Sequence, residues 1–333
     1  MDDYITLEYG SGGSKTSELI RELILPAFHN PVLSGLGDAA LIAGERELCF
    51  STDSFVVSPL FFPGGDIGKL AVCGSLNDVA MAGGEPRYLS FSLVIEEGFP
   101  VRDLRRILSS AGREAEKAGV LIVTGDTKVV EKGSCDGLFI NTACIGFRKA
   151  APLGPGRVKA GDKILISGPV GDHGMTIMLA RHPSLLSADL SSDCANVAPM
   201  AGALFSLGED LRLLRDPTRG GIATILSELA AESECGFMLW EDAIPISVPV
   251  KAACDILGLD ALYSACEGRL TAVVAPEKAE EALSLLRAFP EGAGAAAIGE
   301  ITAENPGRLT LKTALGSSRF LRPLSGGMFP RIC

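Results

Sequence analysis

Apolar positions change period several times along the chain. Val101, Leu104, Ile107, Leu108, Ala111 and Ala115 recur every three or four residues, which predicts an amphipathic helix in "VRDLRRILSSAGREAEKAG". The stretches "ELCFSTDSFVV", "PRYLSFSLVI", "VLIVTGDTKVV" and "GLFINTACIGF" are rich in β-branched and aromatic residues and predict strands. "GDIGKLAVCGSLNDVAMAG" reads as a helix whose small residues permit close packing. The Pro/Gly-rich "APLGPGRVKAGD" marks a boundary near residues 150–162. Beyond it, "KILISGPVG", "RLTAVVAP" and "RLTLKT" predict strands. "GGIATILSELAAES", with Ile222, Ile225, Leu226 and Leu229 on one face, and "EKAEEALSLLRAF" predict helices. Two consecutive α/β domains follow, over 1–150 and 151–316. Residues 317–333 show no periodicity and contain Ser-Ser, Gly-Gly and two prolines, so they read as a mobile tail. Sixteen residue steps give that tail a maximum reach of roughly 55 Å.

Composition narrows the class. With 333 residues the chain suits two domains, and at 47% hydrophobic residues each can bury a core. The formal net charge of −11 disfavours nucleic-acid and anionic-membrane partners. Nucleotides remain allowed, because a divalent cation screens their phosphates. No segment approaches the roughly 20 apolar residues of a membrane span. The start lacks a basic, apolar leader, so a cytoplasmic protein is expected. Nine cysteines include no CxxC pair, which argues against structural zinc. Cys49, Cys73 and Cys144 lie in apolar runs and are expected as buried fillers. Cys333 stands apart, at the tip of the tail.

Candidate chemistry lies in the acidic turns. Asp38 in "GLGDAAL", Asp53 in "STDSF", Asp78 in "LNDVA" and Asp126 in "VTGDTK" each adjoin a strand end, turn or helix. Singly, each fits a turn or cap residue. Four together point to Mg²⁺ held by few carboxylates plus substrate phosphates. The glycine-rich "GSGGSK" before a helix offers Gly12, Gly13 and Lys15 to a phosphate, or is a plain N-terminal turn. It lacks P-loop spacing. "DPTRGGIA" supplies Asp216 and Arg219, either for charge work or as an ion pair. His173, in "VGDHGM", sits at a strand-to-helix turn, where it starts a helix or meets phosphate. His29 and His182 read as surface residues.

Taken together, "STDSFVVSPLFFPGGDIGKLAVCGSLNDVAMAGGEP", "TGDTKVV", "DGLFINTACIG", "DPTRGG" and "PRIC" resemble the HypE family of hydrogenase maturation factors, over essentially the whole chain. That family belongs with aminoimidazole ribonucleotide synthetase, selenophosphate synthetase and thiamine-monophosphate kinase. The resemblance implies a two-domain PurM-like α/β fold, with N-terminal domains forming a β-barrel at a homodimer interface. It implies ATP and Mg²⁺ as cofactors, with Asp38, Asp53, Asp78 and Asp126 as metal ligands. The nucleotide would meet Gly12, Gly13, Lys15, Asp53, Lys69, Asn77, Asp126, Thr127, Asp216 and Arg219. Three positions depart from the family pattern. Tyr9 replaces a histidine, Ala39 replaces a second aspartate, and Cys266 replaces an asparagine in "YSACEGRL".

The activity implied is ATP-dependent dehydration of a carboxamide carried on Cys333, giving a thiocyanate. A carbamoyltransferase, HypF, would load the thiol. A HypC–HypD complex would receive the cyano group for the iron of a [NiFe]-hydrogenase. Cys333, Glu267 and Lys128 would be the catalytic set, with Glu267 taking protons from nitrogen and Lys128 orienting it or neutralising the phosphate. Two other readings remain: a small-molecule kinase or synthetase of the same superfamily, and a non-enzymatic carrier.

Overall fold

The computed structural model describes residues 3–10, 14–33, 42, 44, 47–182, 189–324 and 333. Two sheets organise the chain. Before the first, α1 (Ser14–Leu19) runs through a π turn (Ile20–Ile24) into α2 (Leu25–Ala27). The first sheet contains β1 (Leu48–Phe55), β4 (Gly84–Glu96), β5 (Leu121–Thr124), β6 (Thr127–Val130) and β7 (Leu138–Arg148). A short hairpin, β2 (Phe61–Phe62) with β3 (Gly65–Asp66), precedes helix α3 (Ile67–Met81). The order is β1-β7-β4-β5, with β6 also paired to β4. Helix α4 (Val101–Ala118) carries the anticipated stripe, and all six residues of it are buried. Its C-cap, Gly119, adopts φ +66 and closes the helix. The expected single strand "VLIVTGDTKVV" is two, because the regular ladder to β4 is interrupted at Gly125-Asp126, where the Leu93 N–H still donates to the Asp126 carbonyl at 2.8 Å.

Helix α3 is the structural centre. Only Lys69 and Asp78 of its 15 residues escape full burial. One side packs on β1 and β7, another on α4, and its C-terminal half meets the second half of the chain. The Ala, Gly and Ser positions allow this, since backbones approach closely where side chains are small. Asp66 caps the helix, accepting from the Gly68 and Lys69 N–H groups at 2.9 and 3.0 Å.

The second sheet has seven strands in the order β14-β13-β10-β12-β8-β11-β9. These are β8 (Lys163–Ile166), β9 (Leu211–Arg215), β10 (Gly236–Trp240), β11 (Thr271–Val274), β12 (Ala296–Thr302), β13 (Leu309–Lys312) and β14 (Ser318–Leu321). Around it lie α5 (Asp172–Arg181), α6 (Ala198–Leu204), α7 (Gly221–Glu232), α8 (Val248–Leu257) and α9 (Ala279–Arg287). The pattern along the chain predicts β8, β11 and β13 but misses β9, β10, β12 and β14.

β14 corrects the expected extent of the tail. Ser318–Leu321 pairs antiparallel with Leu309–Lys312, Leu321 is buried, and the Arg319 guanidinium pairs with Asp260 at 2.9 Å. After it, the Tyr263 hydroxyl donates to the Arg322 carbonyl at 2.9 Å. The Leu324 N–H donates to Thr224 Oγ1 at 3.3 Å. One buried leucine, an ion pair and two hydrogen bonds hold residues 318–324 to the sheet and α7. Residues 325–332 lie outside the described residues.

Candidate active site

Six carboxylates and one thiol line a cavity of about 1140 Å³ between the two halves. β1 contributes Asp53, α3 Asp78, and the turn after β9 Asp216 and Arg219. Helix α7 adds Glu228 and Glu232, and Glu267 and Cys333 complete the set. Local backbone chemistry explains the β9–α7 turn. Gly220 and Gly221 adopt φ +77 and +59, and a Cβ on Gly221 would come within 2.4 Å of the Leu262 carbonyl. Glycine there lets the turn pass against the 262–264 segment, with Arg219 on the cavity lining.

The electrostatics follow from crowding like charges away from water. Ser51 Oγ donates to Asp78 Oδ2 at 2.6 Å. Asp53 is pushed up to about 6 by burial and then by the Asp78 charge and a hydrogen bond between the two carboxyls; Arg219 opposes the shift. Asp216 is pushed up to about 7, by burial first and Asp78 second. Glu267 is 3% exposed and held well above the usual carboxylate range by burial, then by Asp216, Asp193, Asp53 and Asp78. Its Oε1 is buried without a hydrogen-bond partner among the described residues. The Cys333 thiol is pushed up to about 12 by burial and the Glu267 charge, with Arg219 opposing. A cluster of this kind holds protons near neutrality, and its unpartnered carboxyl oxygen belongs to a residue that shares the cavity with the thiol.

Several expected residues lie elsewhere. Lys128 Nζ binds Asp126 Oδ1 at 2.8 Å, and the Thr127 N–H donates to the same oxygen at 2.8 Å. Neither Lys128 nor Asp126 lines the cavity. β7 and β4 separate their strand from β1, so one chain does not bring Lys128 to Glu267 or Asp126 to Asp53. Lys69 Nζ donates to the Gly64 carbonyl at 3.0 Å, and Lys15 pairs with Glu18 at 3.3 Å; neither lines the cavity. Asn77 is 2% exposed, with its amide turned into the protein. Gly12, Gly13 and Asp38 fall outside the described residues. Among those described, no group of three or more His, Cys, Asp or Glu is arranged to hold a metal ion alone.

The departures also find places. Cys266 is fully buried and its Sγ accepts the Gly171 N–H at 3.2 Å, so it packs the second core and does not line the cavity. Tyr9 is fully buried, with Lys15 Nζ 5.2 Å from its ring centre. His173 starts α5, buried, its Nδ1 sharing a hydrogen bond with Ser192 Oγ at 2.8 Å. Cys49, Cys73 and Cys144 are buried, as expected of fillers. Ser51 lines the cavity from the "STDSF" motif, where only Asp53 is singled out, and Leu324 lines it without any motif to announce it. The same holds for Asp193 behind it, in the unpatterned "SSDCANVAP".

Comparison with known proteins agrees with this layout. Residues 36–147 match the N-terminal domain of AIR synthase related proteins, and residues 159–312 match the C-terminal domain. A carbamoyl dehydratase HypE of Rhodobacter capsulatus is 44% identical over 336 residues, covering 100% of this chain and 99% of the relative. A crystal structure of the hydrogenase maturation protein HypE in complex with ATP superposes with a TM-score of 0.94 at 46% identity, covering 98% of this chain and 99% of that one. A HypE–HypF complex matches with a TM-score of 0.81 at 44% identity, covering 92% and 99%. No helix among the described residues is long and apolar enough to cross a membrane. With both domains matched, the whole length covered and the carboxylate cavity in place, the chain belongs to the HypE carbamoyl dehydratase family.

Proposed function

We propose that this chain uses ATP to dehydrate a carboxamide carried on the sulfur of Cys333, leaving a thiocyanate. The observation that carries the reading is that Cys333 shares one cavity with Glu267 and the Asp53–Asp78–Asp216 group. ATP transfers its γ-phosphoryl group to the carbamoyl oxygen, converting a poor leaving group into phosphate. The amide nitrogen gives up both protons, the C–O bond breaks, and carbon and nitrogen form the triple bond. Overall, the carboxamide and ATP become thiocyanate, ADP and phosphate.

Glu267 is the base. Its unpartnered Oε1 accepts an N–H of the bound carboxamide. Its neighbours hold a proton on it, so screening Asp53 and Asp78 lowers its grip on that proton. These two carboxylates, hydrogen-bonded to each other, are the donor set that suits Mg²⁺ together with phosphates. The cation supplies charge neutralisation at the transferring phosphoryl group. Arg219 faces the same space and steers the phosphates by charge.

Residues 1–150 form the first domain of this reading, and residues 151–316, to which β14 adds Ser318–Leu321, form the second. A HypF-type carbamoyltransferase loads the thiol, and a HypC–HypD complex accepts the product, in the cytoplasm. The first sheet exposes Phe50 (66%) and Leu48 (55%) on β1, an apolar face suited to homodimer pairing. In such a dimer, Asp126, Thr127 and Lys128 of a neighbouring copy would approach the nucleotide. The test is mass spectrometry of the C-terminal fragment after incubation with carbamoyltransferase, carbamoyl phosphate and ATP. Loss of one water from the carbamoylated fragment is expected. A carbamoylated fragment unchanged by ATP refutes the reading, and Cys333→Ala should prevent loading altogether.

A further inference from the structure

We propose that Asn77 and Asp193 are positioning residues, holding the backbone of Glu267 from opposite sides so that its carboxyl faces the cavity. The proposal rests on Glu267 acting as the base. On one side, the Glu267 N–H donates to Asp193 Oδ1 at 3.1 Å, and the Gly268 N–H also reaches this carboxylate. Asp193 is fixed in turn by Arg269, whose Nε lies 3.5 Å from Oδ2 and whose Nη2 lies 3.6 Å from Asp172. On the other side, the Glu267 carbonyl accepts from the Ala195 N–H at 3.3 Å and from Asn77 Nδ2 at 3.4 Å. Both peptide groups flanking Glu267 are therefore claimed.

Asn77 makes this a bridge between the halves. Its Nδ2 also donates to the Ala195 carbonyl at 3.1 Å, and its Oδ1 accepts the Val197 N–H at 2.8 Å. That pattern fixes the amide orientation, since only the nitrogen meets carbonyls and only the oxygen meets an N–H. One turn earlier on α3, the Cys73 and Cys194 thiols are hydrogen-bonded, so the helix and the 194–197 segment touch along a line. The next residue, Asp78, points to Ser51 and the phosphate side of the cavity. Consecutive residues of one rigid helix thus place the carboxylate that would meet the phosphates and the loop that carries the base. Every polar atom of the Asn77 amide is used inside the protein, so its role is to orient Glu267, not to bind nucleotide.

The experiment is a single-turnover cycle on the full chain, loaded with carbamoyl at Cys333. Asn77→Asp keeps the shape and the acceptor but sets a carboxylate against two carbonyls. We expect its dehydration rate to fall about 10- to 100-fold, the usual result of displacing a catalytic group by about 1 Å. ATP affinity should stay within about twofold. Asn77→Ser, smaller and with one donor left, should show a lesser loss. In a Glu267→Gln background, which is itself expected to be slow, Asn77→Asp should add no further loss, because it acts through Glu267. Multiplicative losses would overturn the proposal, as would joint loss of ATP binding in either Asn77 variant or a normal rate in both. A normal rate in Glu267→Gln alone would instead overturn the assignment of the base.

Discussion

The buried thiol makes a prediction that can be worked through from pH. Seated in the cavity, Cys333 has its pKa raised from 9.0 to about 12, through burial and the Glu267 charge. A free thiol with the ordinary value is about 10% thiolate at pH 8, whereas the seated one is about 0.01%. Alkylation requires the thiolate, so seating protects Cys333 by up to about 1000-fold below pH 9. The raised pKa also sets the sign of the linkage. The seated state holds its proton more tightly, so its advantage is complete below pH 9 and is lost as pH rises towards 12. Protection should then shrink by about tenfold per pH unit. Short pulses of iodoacetamide, quenched and read by mass spectrometry of the C-terminal fragment, give the rates. A synthetic peptide of residues 325–333 is the reference. The peptide profile should level off near pH 9 while the protein profile climbs beyond it. Profiles that bend at the same pH, or protection below about tenfold at pH 8, would refute the seating of the thiol.

Other perturbations follow from the same geometry. Arg219→Gln removes the cation that opposes the shifts on Cys333 and Asp53; thiol alkylation at pH 9 should slow further, and faster labelling would contradict the charge argument. Asp216→Asn removes a carboxyl whose pKa of about 7 lies above its ordinary 3.8. The wild type gains stability below pH 3.8 and loses it as pH rises through 7, so the variant should be more stable by a few kcal/mol at pH 8 and unchanged at pH 4 by thermal melting. Gly268→Ala would put a methyl 1.7 Å from the Asp193 carbonyl oxygen; a loss of about 3 kcal/mol or more is expected in urea unfolding, and a change under about 0.5 would show that the loop yields. Thr224→Val removes the acceptor of the Leu324 N–H; dehydration should slow a few-fold while loading of Cys333 by the transferase is unchanged, with about 1 kcal/mol lost at most.

How far the pattern along the chain was readable depended on the surroundings of each element. Helix α4 has one wet face, so its stripe shows a clear period. α3 is buried on nearly all sides and loses that period, yet its small residues still mark it as a helix. β12, "AAIGEIT", begins with alanines and glycine in a chain rich in both, and only its pairing to β8 and β10 makes it a strand. β14, "SRFL", exposes three of its four residues and buries only Leu321, so neither an alternation nor an apolar run registers. The aspartate turns were legible because Gly, Ser and Thr flank them, but their convergence was not. Asp53 and Asp126 have similar neighbours, and sheet order alone separates them. Asn77 and Asp78 look like one motif, and a helix turns adjacent residues about 100° apart, so they serve opposite sides. Glu267 was found through resemblance, since no local pattern points to a base before β11.

The attachment of Leu324 to Thr224 has a kinetic meaning. From that anchor only nine residue steps separate Leu324 from Cys333, a span of roughly 30 Å at full stretch. A group carried on such a leash stays at roughly millimolar local concentration or above around the cavity, whatever the protein concentration. Dehydration should therefore proceed as a first-order event, once per loaded molecule. Dilution should leave its rate untouched, and the pace of repeated cycles should be set by encounters with the proteins that fill and empty the thiol.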